Sequence, residues 1–545
     1  MIAHSQLAPL PNELPFRIVS KTIGQGAYAC VKKAAPLDSP GPVFAVKFIH
    51  KDYATRHGRL NKKQLDLETS LHEYLGAHAN LVQFFSSGED YTWRWIAMEL
   101  AEGGDLFDKI ESDVGVGEDI AHLYFTQLIS AVAYMHSKGV GHRDIKPENI
   151  LLSTGGSLKI ADFGLAVLFE YKGQKKLCSS SCGSPPYTAP EVVTCDHRVK
   201  KRLDQGYFGP LVDIWSCAVV LFVLLVGNTP WDEPLERSYE FSEYLKASGR
   251  PDDELWDKLS DEIVQLLRAM MRIEPTERMT LEDIQRHPWF RRQNPYLDSN
   301  GRLEHPVQLA TQMFESMRID FSKDPVLSQR SQRSGDAMDI DEIQSSRQND
   351  STDSRTPNNE IMFDWETRGH LSNGDLPAAA NSAAISQLSW DEQLAEEPLC
   401  SQFSSTPRVP LTRTQFARQF HDIIPSQSLT RFFSFWSTEQ LRNALQDALQ
   451  KIFLLKSDGS SQVGSDEVAS IRIRAMDGRN CPISGDIFIE RLFGVEGQAH
   501  EVNFVKIKGD PVEWRRLFKK VVVLCKDAVF KPDQSIALLS QSSVL

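Results

Sequence analysis

Six polar side chains between positions 47 and 162 have the types and spacing for chemistry on a phosphate. Lys47 sits in "PVFAVKFIH", a β-branched and aromatic run that reads as a strand, where a buried ammonium is costly unless paired. The helical pattern "LDLETSLHEYLG" then offers Glu68 as that partner. Such a pair would hold Lys47 against the α- and β-phosphates of a nucleotide. "GHRDIKPENILL" supplies Asp144 as a general base or hydroxyl-orienting carboxylate, Lys146 to meet transferred phosphoryl charge, and Asn149 as a metal ligand. "KIADFGLA" adds Asp162, and carboxylate and amide oxygens together suit magnesium, a hard cation that retains waters. Upstream, "TIGQGAYACVKKA" places Gly24 and Gly26 in a hairpin whose backbone can approach phosphate, with Ala29 where a third glycine is expected. Taken singly, the glycine hairpin and the Lys47–Glu68 pair read more readily as an ordinary β-turn and as a surface lysine with a surface glutamate.

Elements must hold these groups, and composition shows where. From Pro15 to about residue 290, short β-branched runs precede long helical patterns; "CAVVLFVLLV", Cys217 to Val226, is too short for a bilayer and reads as a buried helix. From 291 to 410 the chain is rich in Ser, Gln, Asn and Asp, which predicts a mostly disordered linker, with a helix in "RLEHPVQLATQMFESM". Helical and strand patterns return from 411 to 535, between an N-terminal tail (1–14) and a C-terminal one (536–545). In "VNFVKIKGDPVEWRRLFKK", a strand ends at Gly509 and a helix starts at Asp510 and Pro511. Trp514, Leu517, Phe518, Val521 and Cys525 share one face of that helix, with Arg515, Arg516, Lys519 and Lys520 opposite. The net charge of −13 argues against direct nucleic-acid binding as the main work of the 545 residues. The eight scattered cysteines fit a reducing compartment, and neither a secretory signal nor a transmembrane segment is expected.

In chain order the motifs continue with Ala189-Pro190-Glu191, Asp213 ahead of the apolar helix, and Arg278 as a buried partner for Glu191. Together they match the protein-kinase signature set. The first 290 residues resemble a eukaryotic protein kinase over its full catalytic length. The implied fold is α+β: a bilobal kinase domain, a disordered linker, and a small α+β C-terminal domain. The resemblance implies ATP and Mg2+ as cofactors, with Ile23, Val31, Ala45 and Leu151 sandwiching adenine. Met98 then guards the pocket, and backbone groups of Glu99 and Ala101 bond the base. Asp105 and Glu148 fall where calcium/calmodulin-type kinases place acids that hold an arginine upstream of the acceptor, which implies basic-directed serine or threonine substrates. Arg143 could meet a phosphate on Ser179, Ser180 or Ser181 of the activation segment.

Ser-Gln pairs at Ser328, Ser331, Ser386 and Ser401 look like regulatory sites for damage-sensing kinases. Kinase, Ser-Gln linker, "TRFFSFW" and the basic helix follow the order found in DNA-damage checkpoint effector kinases, whose last part resembles the kinase-associated KA1 fold. That resemblance implies an upstream damage-sensing kinase, substrates of the cell-division-cycle phosphatase type, an intramolecular kinase–tail contact, and nuclear residence with a cytoplasmic pool. "CGSPPY" is also similar to the energy-sensing and polarity kinases, and a scaffold whose tail recruits partners is the reading from another class.

Overall fold

The computed structural model describes residues 9–11, 13–25, 28–56, 62–195, 206–319, 321, 400, 402–403, 419–424, 428–453, 468–476, 482–492 and 499–531. Gly26, the basic run at 197–202, and Ser328, Ser331, Ser386 and Ser401 lie outside them.

The amino-terminal lobe is a five-stranded antiparallel sheet in the order β1 (Phe16–Gln25), β2 (Ala29–Pro36), β3 (Phe44–His50), β5 (Trp93–Met98), β4 (Phe84–Glu89). Its register sets the cleft: Val31 lies opposite Lys47, and Ala45 opposite Met98. Short helices α1 (Lys51–Arg56) and α2 (Lys62–Leu75) follow β3, and α2 buries Leu65, Glu68, Leu71, His72 and Leu75. Residues before the first strand pack on this lobe too, with the Trp93 indole donating to the Pro9 carbonyl at 2.9 Å.

The larger lobe is helical and built around α3 (Glu118–Ser137) and the helix Gly209–Val226. The latter is apolar on every side, so it is stable only when surrounded, and Val219 to Leu224 are fully buried. Pro210 stands in its first turn, and Gly227 closes it at φ +72° in the left-handed region. This is the length and hydropathy of a membrane span, but the helix is the core of the lobe.

Two boundaries differ from the sequence reading. The segment from 291 is not linker at its start: helix Pro306–Ser316 buries Leu309, Ala310, Met313 and Phe314 in the same apolar cluster as α3. Its i, i+1, i+4, i+5 apolar stripe outweighs the polar composition around it. At the far end, Ile319 and Phe403 belong to the core of the C-terminal domain, and the Ile319 N–H donates to the Gln402 carbonyl at 2.9 Å.

That domain is a four-stranded antiparallel sheet, ordered Arg431–Ser434, His500–Lys508, Pro482–Arg491, Val468–Met476, with helices Thr438–Phe453 and Pro511–Leu524. Leu441, Leu445, Trp514, Leu517, Phe518 and Val521 close over Ile487, Ile489, Val502 and Phe504. Trp514 lies so close over Gly485 that a Cβ there would stand 2.3 Å from the indole, so only glycine fits. The whole is α+β: a bilobal kinase domain and a small sheet-and-helix domain.

Candidate active site

The cleft between the lobes gathers the charged residues that the sequence spread over more than a hundred positions. Lys47 on β3 donates to Glu68 of α2 at 2.7 Å and to Asp162 at 2.9 Å. Burial alone would depress the ammonium, but Asp162 and Glu68 more than offset it and hold Lys47 above its usual value. Lys47 in turn pulls the Asp162 carboxyl well below the ordinary carboxylate range, so it is an anion at neutral pH. Two non-glycine residues here adopt positive φ, Arg143 at 66° and Asp162 at 61°, conformations that persist only when their surroundings over-determine them. For Arg143 the cause is visible. Asp213, fully buried at the start of helix Gly209–Val226, accepts from the His142 and Arg143 N–H groups at 2.9 and 2.7 Å and pairs with His136 at 2.8 Å. For Asp162, the ring of neighbouring Phe163 is held tilted 4.6 Å from His72 and edge-on 5.5 Å from His142.

Asp144, Lys146 and Asn149 form one hydrogen-bonded group. Lys146 Nζ lies 3.0 Å from Asp144 Oδ2, and the Asn149 amide donates to the Asp144 carbonyl and carboxylate at 2.8 and 2.9 Å. One residue of the group has no chemical mark of its own in the sequence: Ser184. Its hydroxyl accepts from Lys146 at 2.7 Å and donates to Asp144 Oδ1 at 3.2 Å, bridging the two. The signal was its place two residues after Cys182 in "CGSPPY", noticed as a family marker rather than as a ligand of Asp144.

Of the sequence-predicted pocket residues, Ala45 is buried, Val31 and Leu151 half-buried, and Ile23 46% exposed at the cleft mouth. Glu99 spends its N–H on the Gln83 carbonyl at 2.9 Å, so only its carbonyl can meet a base; its side chain pairs with Lys159 at 2.7 Å. Ala101 opens the turn that leads to Gly104 and Asp105. The Arg278 guanidinium grips Glu191 in a fork at 2.6 and 2.7 Å, lies 5.0 Å from the Trp215 ring, and bonds the Leu211 carbonyl. Arg143 Nη1 meets Ser180 Oγ at 3.1 Å and Tyr207 OH at 3.0 Å, which singles out Ser180 among the three serines. Asp105 and Glu148 come together, and burial pushes both carboxyls up, with Asp108 adding to Asp105. Lys506, and against it Asp510, are the C-terminal charges that Glu148 feels.

A protein kinase domain model matches residues 17–290. The serine/threonine-protein kinase chk1 of Schizosaccharomyces pombe is 36% identical over 94% of this chain and 96% of its own length. The chain belongs to the Chk1 family of serine/threonine protein kinases. CHK1 of Saccharomyces cerevisiae is 32% identical over 97% of this chain and 99% of its own. The serine/threonine-protein kinase grp of Drosophila melanogaster, by contrast, is 34% identical over half of each chain. Membership of a Chk1 family makes the chain a protein kinase, and the protein kinase domain implies ATP and a divalent metal. The donor set fits that metal: Asn149 uses its amide nitrogen on Asp144 and keeps its oxygen, while Lys47 and the Gly164 N–H take only Asp162 Oδ1.

The basic helix departs from its expected pattern. Arg515 does not share an open face with Arg516, Lys519 and Lys520: it is buried, donating to the carbonyls of Leu429 (2.7 Å) and Met317 (3.1 Å) and to Gln402 Oε1 (3.1 Å). Arg516 pairs with Asp113, Lys519 with Glu111, and Ser112 Oγ donates to the Val512 carbonyl at 3.0 Å, all across to the kinase domain.

Proposed function

We propose that this chain is an ATP- and magnesium-dependent serine/threonine kinase of the DNA-damage and replication checkpoint. It phosphorylates sites with an arginine upstream of the acceptor and is restrained by its own C-terminal domain. The catalytic roles follow from the cleft. Lys47, held by Glu68, positions the α- and β-phosphates, and Ile23, Val31, Ala45 and Leu151 enclose the base. Asp144 orients the acceptor hydroxyl and takes its proton as oxygen attacks the terminal phosphorus and the bond to the leaving diphosphate breaks. Lys146, tied to Asp144 through Ser184, meets the charge on the transferred group. Asn149 and Asp162 would supply oxygens to magnesium, which when bound neutralises phosphate charge.

The observation that carries the regulatory half is the position of Asp105 and Glu148. Charges of the C-terminal domain reach the acids expected to receive the substrate arginine, with Lys506 favouring and Asp510 opposing the ionised Glu148 carboxylate. Asp105 also stands beside the short helix Phe107–Lys109, against which helix Pro511–Leu524 packs. Arginine-bearing substrate and docked tail would compete for this surface. Damage signalling enters through Ser328, Ser331, Ser386 and Ser401, phosphorylated by a damage-sensing kinase. Substrates of the cell-division-cycle phosphatase type and nuclear residence follow from the same reading.

A peptide-array phosphorylation profile tests it, run on the full chain, on Asp144→Ala and on a chain ending after residue 320. We expect an upstream-arginine preference, higher activity in the shortened chain, and activity lowered at least about 10²-fold in Asp144→Ala. A profile without arginine preference, or an Asp144→Ala chain as active as the parent, overturns the reading. Replacing the four linker serines by alanine should abolish the checkpoint delay after DNA damage; an unchanged delay removes the damage-signal arm.

A further inference from the structure

Between the kinase lobe and the C-terminal sheet lies a short turn whose side chains serve the lobe rather than the domain that follows it. Phe420 and Ile424 are fully buried and Ile423 nearly so, and all three belong to the apolar cluster of the helical lobe. None belongs to the core of the C-terminal domain. The turn Phe420–Asp422 is closed by the Ile423 and Ile424 N–H groups on the Phe420 carbonyl, both at 3.1 Å. It packs against helix Pro306–Ser316, and the His421 N–H donates to the Thr154 carbonyl at 3.2 Å. The phenyl ring lies directly on Gly156, where φ is +85° and a Cβ would stand 2.4 Å from the ring. A cleft walled by the 153–157 turn and helix Pro306–Ser316 therefore receives one aromatic and two branched aliphatic side chains.

We propose that this cleft is a docking site for the Phe420-x-x-Ile423-Ile424 turn, and that this apolar latch, more than the ion pairs of the basic helix, sets how tightly the tail holds the kinase. The proposal rests on the autoregulatory reading above and deepens it. Burying one such side chain is worth roughly ten- to a hundredfold in an equilibrium constant, and three are buried here. An ion pair to the half-exposed Asp113 is worth at most about fivefold and is screened by salt. Lys519 does meet a buried acid, but the second oxygen of Glu111 has no partner among the described residues, so desolvation offsets part of that gain. The latch also explains why helix Pro306–Ser316 is retained on the lobe: it forms one wall of the cleft.

The test uses the full chain, with Phe420→Ser/Ile424→Ser and Arg516→Ala/Lys519→Ala as paired variants and the chain ending after residue 320 as the released reference. Phosphotransfer to an arginine-containing peptide is measured at about 0.1 M and about 0.5 M salt. Amide exchange is followed over 154–157 and over the strand His500–Lys508. We expect the latch variant to reach the rate of the released reference, and the ion-pair variant to rise less than about fivefold. Exchange at 154–157 should quicken at least about tenfold in the latch variant while the strand stays protected. An ion-pair variant that reaches the released rate, with the latch variant still at parental activity, overturns the proposal. Should the latch variant lose protection in the strand as well, Phe420→Leu/Ile424→Ala replaces it, because these milder truncations leave the 153–157 turn unaltered. Parental exchange at 154–157 in that variant is equally fatal. If the released reference is no faster than the full chain, the autoregulatory reading falls. The latch is then judged on exchange alone: quickened exchange upholds the docking, unchanged exchange overturns it.

Discussion

Lys47 in the cleft and Arg515 in the C-terminal domain are both cations taken out of water, and the chain treats them in opposite ways. Lys47 faces two carboxylates, so its charge is matched and even reinforced. Arg515 faces three neutral oxygens from three separated stretches of chain, and burial lowers its guanidinium from the usual value, with Glu111 and Asp108 compensating in part. The catalytic cleft needs charges that can be re-partnered when phosphates arrive, and carboxylates at hydrogen-bond distance allow that. The docking region needs direction instead. A planar fork read by carbonyls fixes where Met317, Gln402 and Leu429 stand relative to one another, at a cost in desolvation.

That contrast can be broken or sharpened by substitution. The largest effect belongs to the cleft: Asp144→Ala should lower kcat about 10²- to 10⁴-fold in the full and shortened chains alike, with the melting temperature unmoved. Next is Arg278→Leu. It strands Glu191 beside a buried site, and a loss of about 3–5 kcal/mol by denaturant titration is expected. His72 gives a pH signature confined to the kinase lobe. Burial pushes its imidazole down to about 4, although the Val82 carbonyl it bonds at 2.7 Å works the other way. The unfolded chain takes up a proton near pH 6.5 and the folded one resists until about 4, so stability should fall by about 3 kcal/mol as pH drops through that window. His72→Gln, which can still donate to Val82, should flatten the slope in urea midpoints measured between those pH values. Smallest is Arg515→Met, expected to cost about 2 kcal/mol in the C-terminal domain alone, because three carbonyl-type acceptors lose a donor. If Arg515→Met cost as much as Arg278→Leu, the distinction between the two kinds of buried cation would fail.

How legible these regions are from sequence follows the same line. The cleft could be read residue by residue, since nucleotide chemistry demands Lys47, Asp144, Asn149 and Asp162 in fixed order, and a strand and a helix to carry the Lys47–Glu68 pair. Ser184 escaped because a serine hydroxyl has no chemistry of its own until geometry puts it between Lys146 and Asp144. In the tail, periodicity identified the apolar face of helix Pro511–Leu524, with Trp514, Leu517, Phe518, Val521 and Cys525 all buried. It could not foresee Arg515, whose surroundings come from residues about 200, 113 and 86 positions away. The helix Pro306–Ser316 was legible as a helix, but the polar composition around it hid that it packs into the kinase core. A chain cut near 300 would strip Leu309, Met313 and Phe314 from the kinase core, which is why the shortened chain ends after 320.

The hydrogen bond between Ile319 and Gln402, with Arg515 bonding both Met317 and Gln402, ties together two points of the chain far apart in sequence. The cost of bringing two such points together grows only slowly with the length of chain between them, so insertions there should be tolerated. More consequentially, a protease that nicks the chain between them separates no folded parts. The two fragments would migrate as one particle in native conditions and as two bands only after denaturation, with Arg515 still bonding Met317 on one fragment and Gln402 on the other.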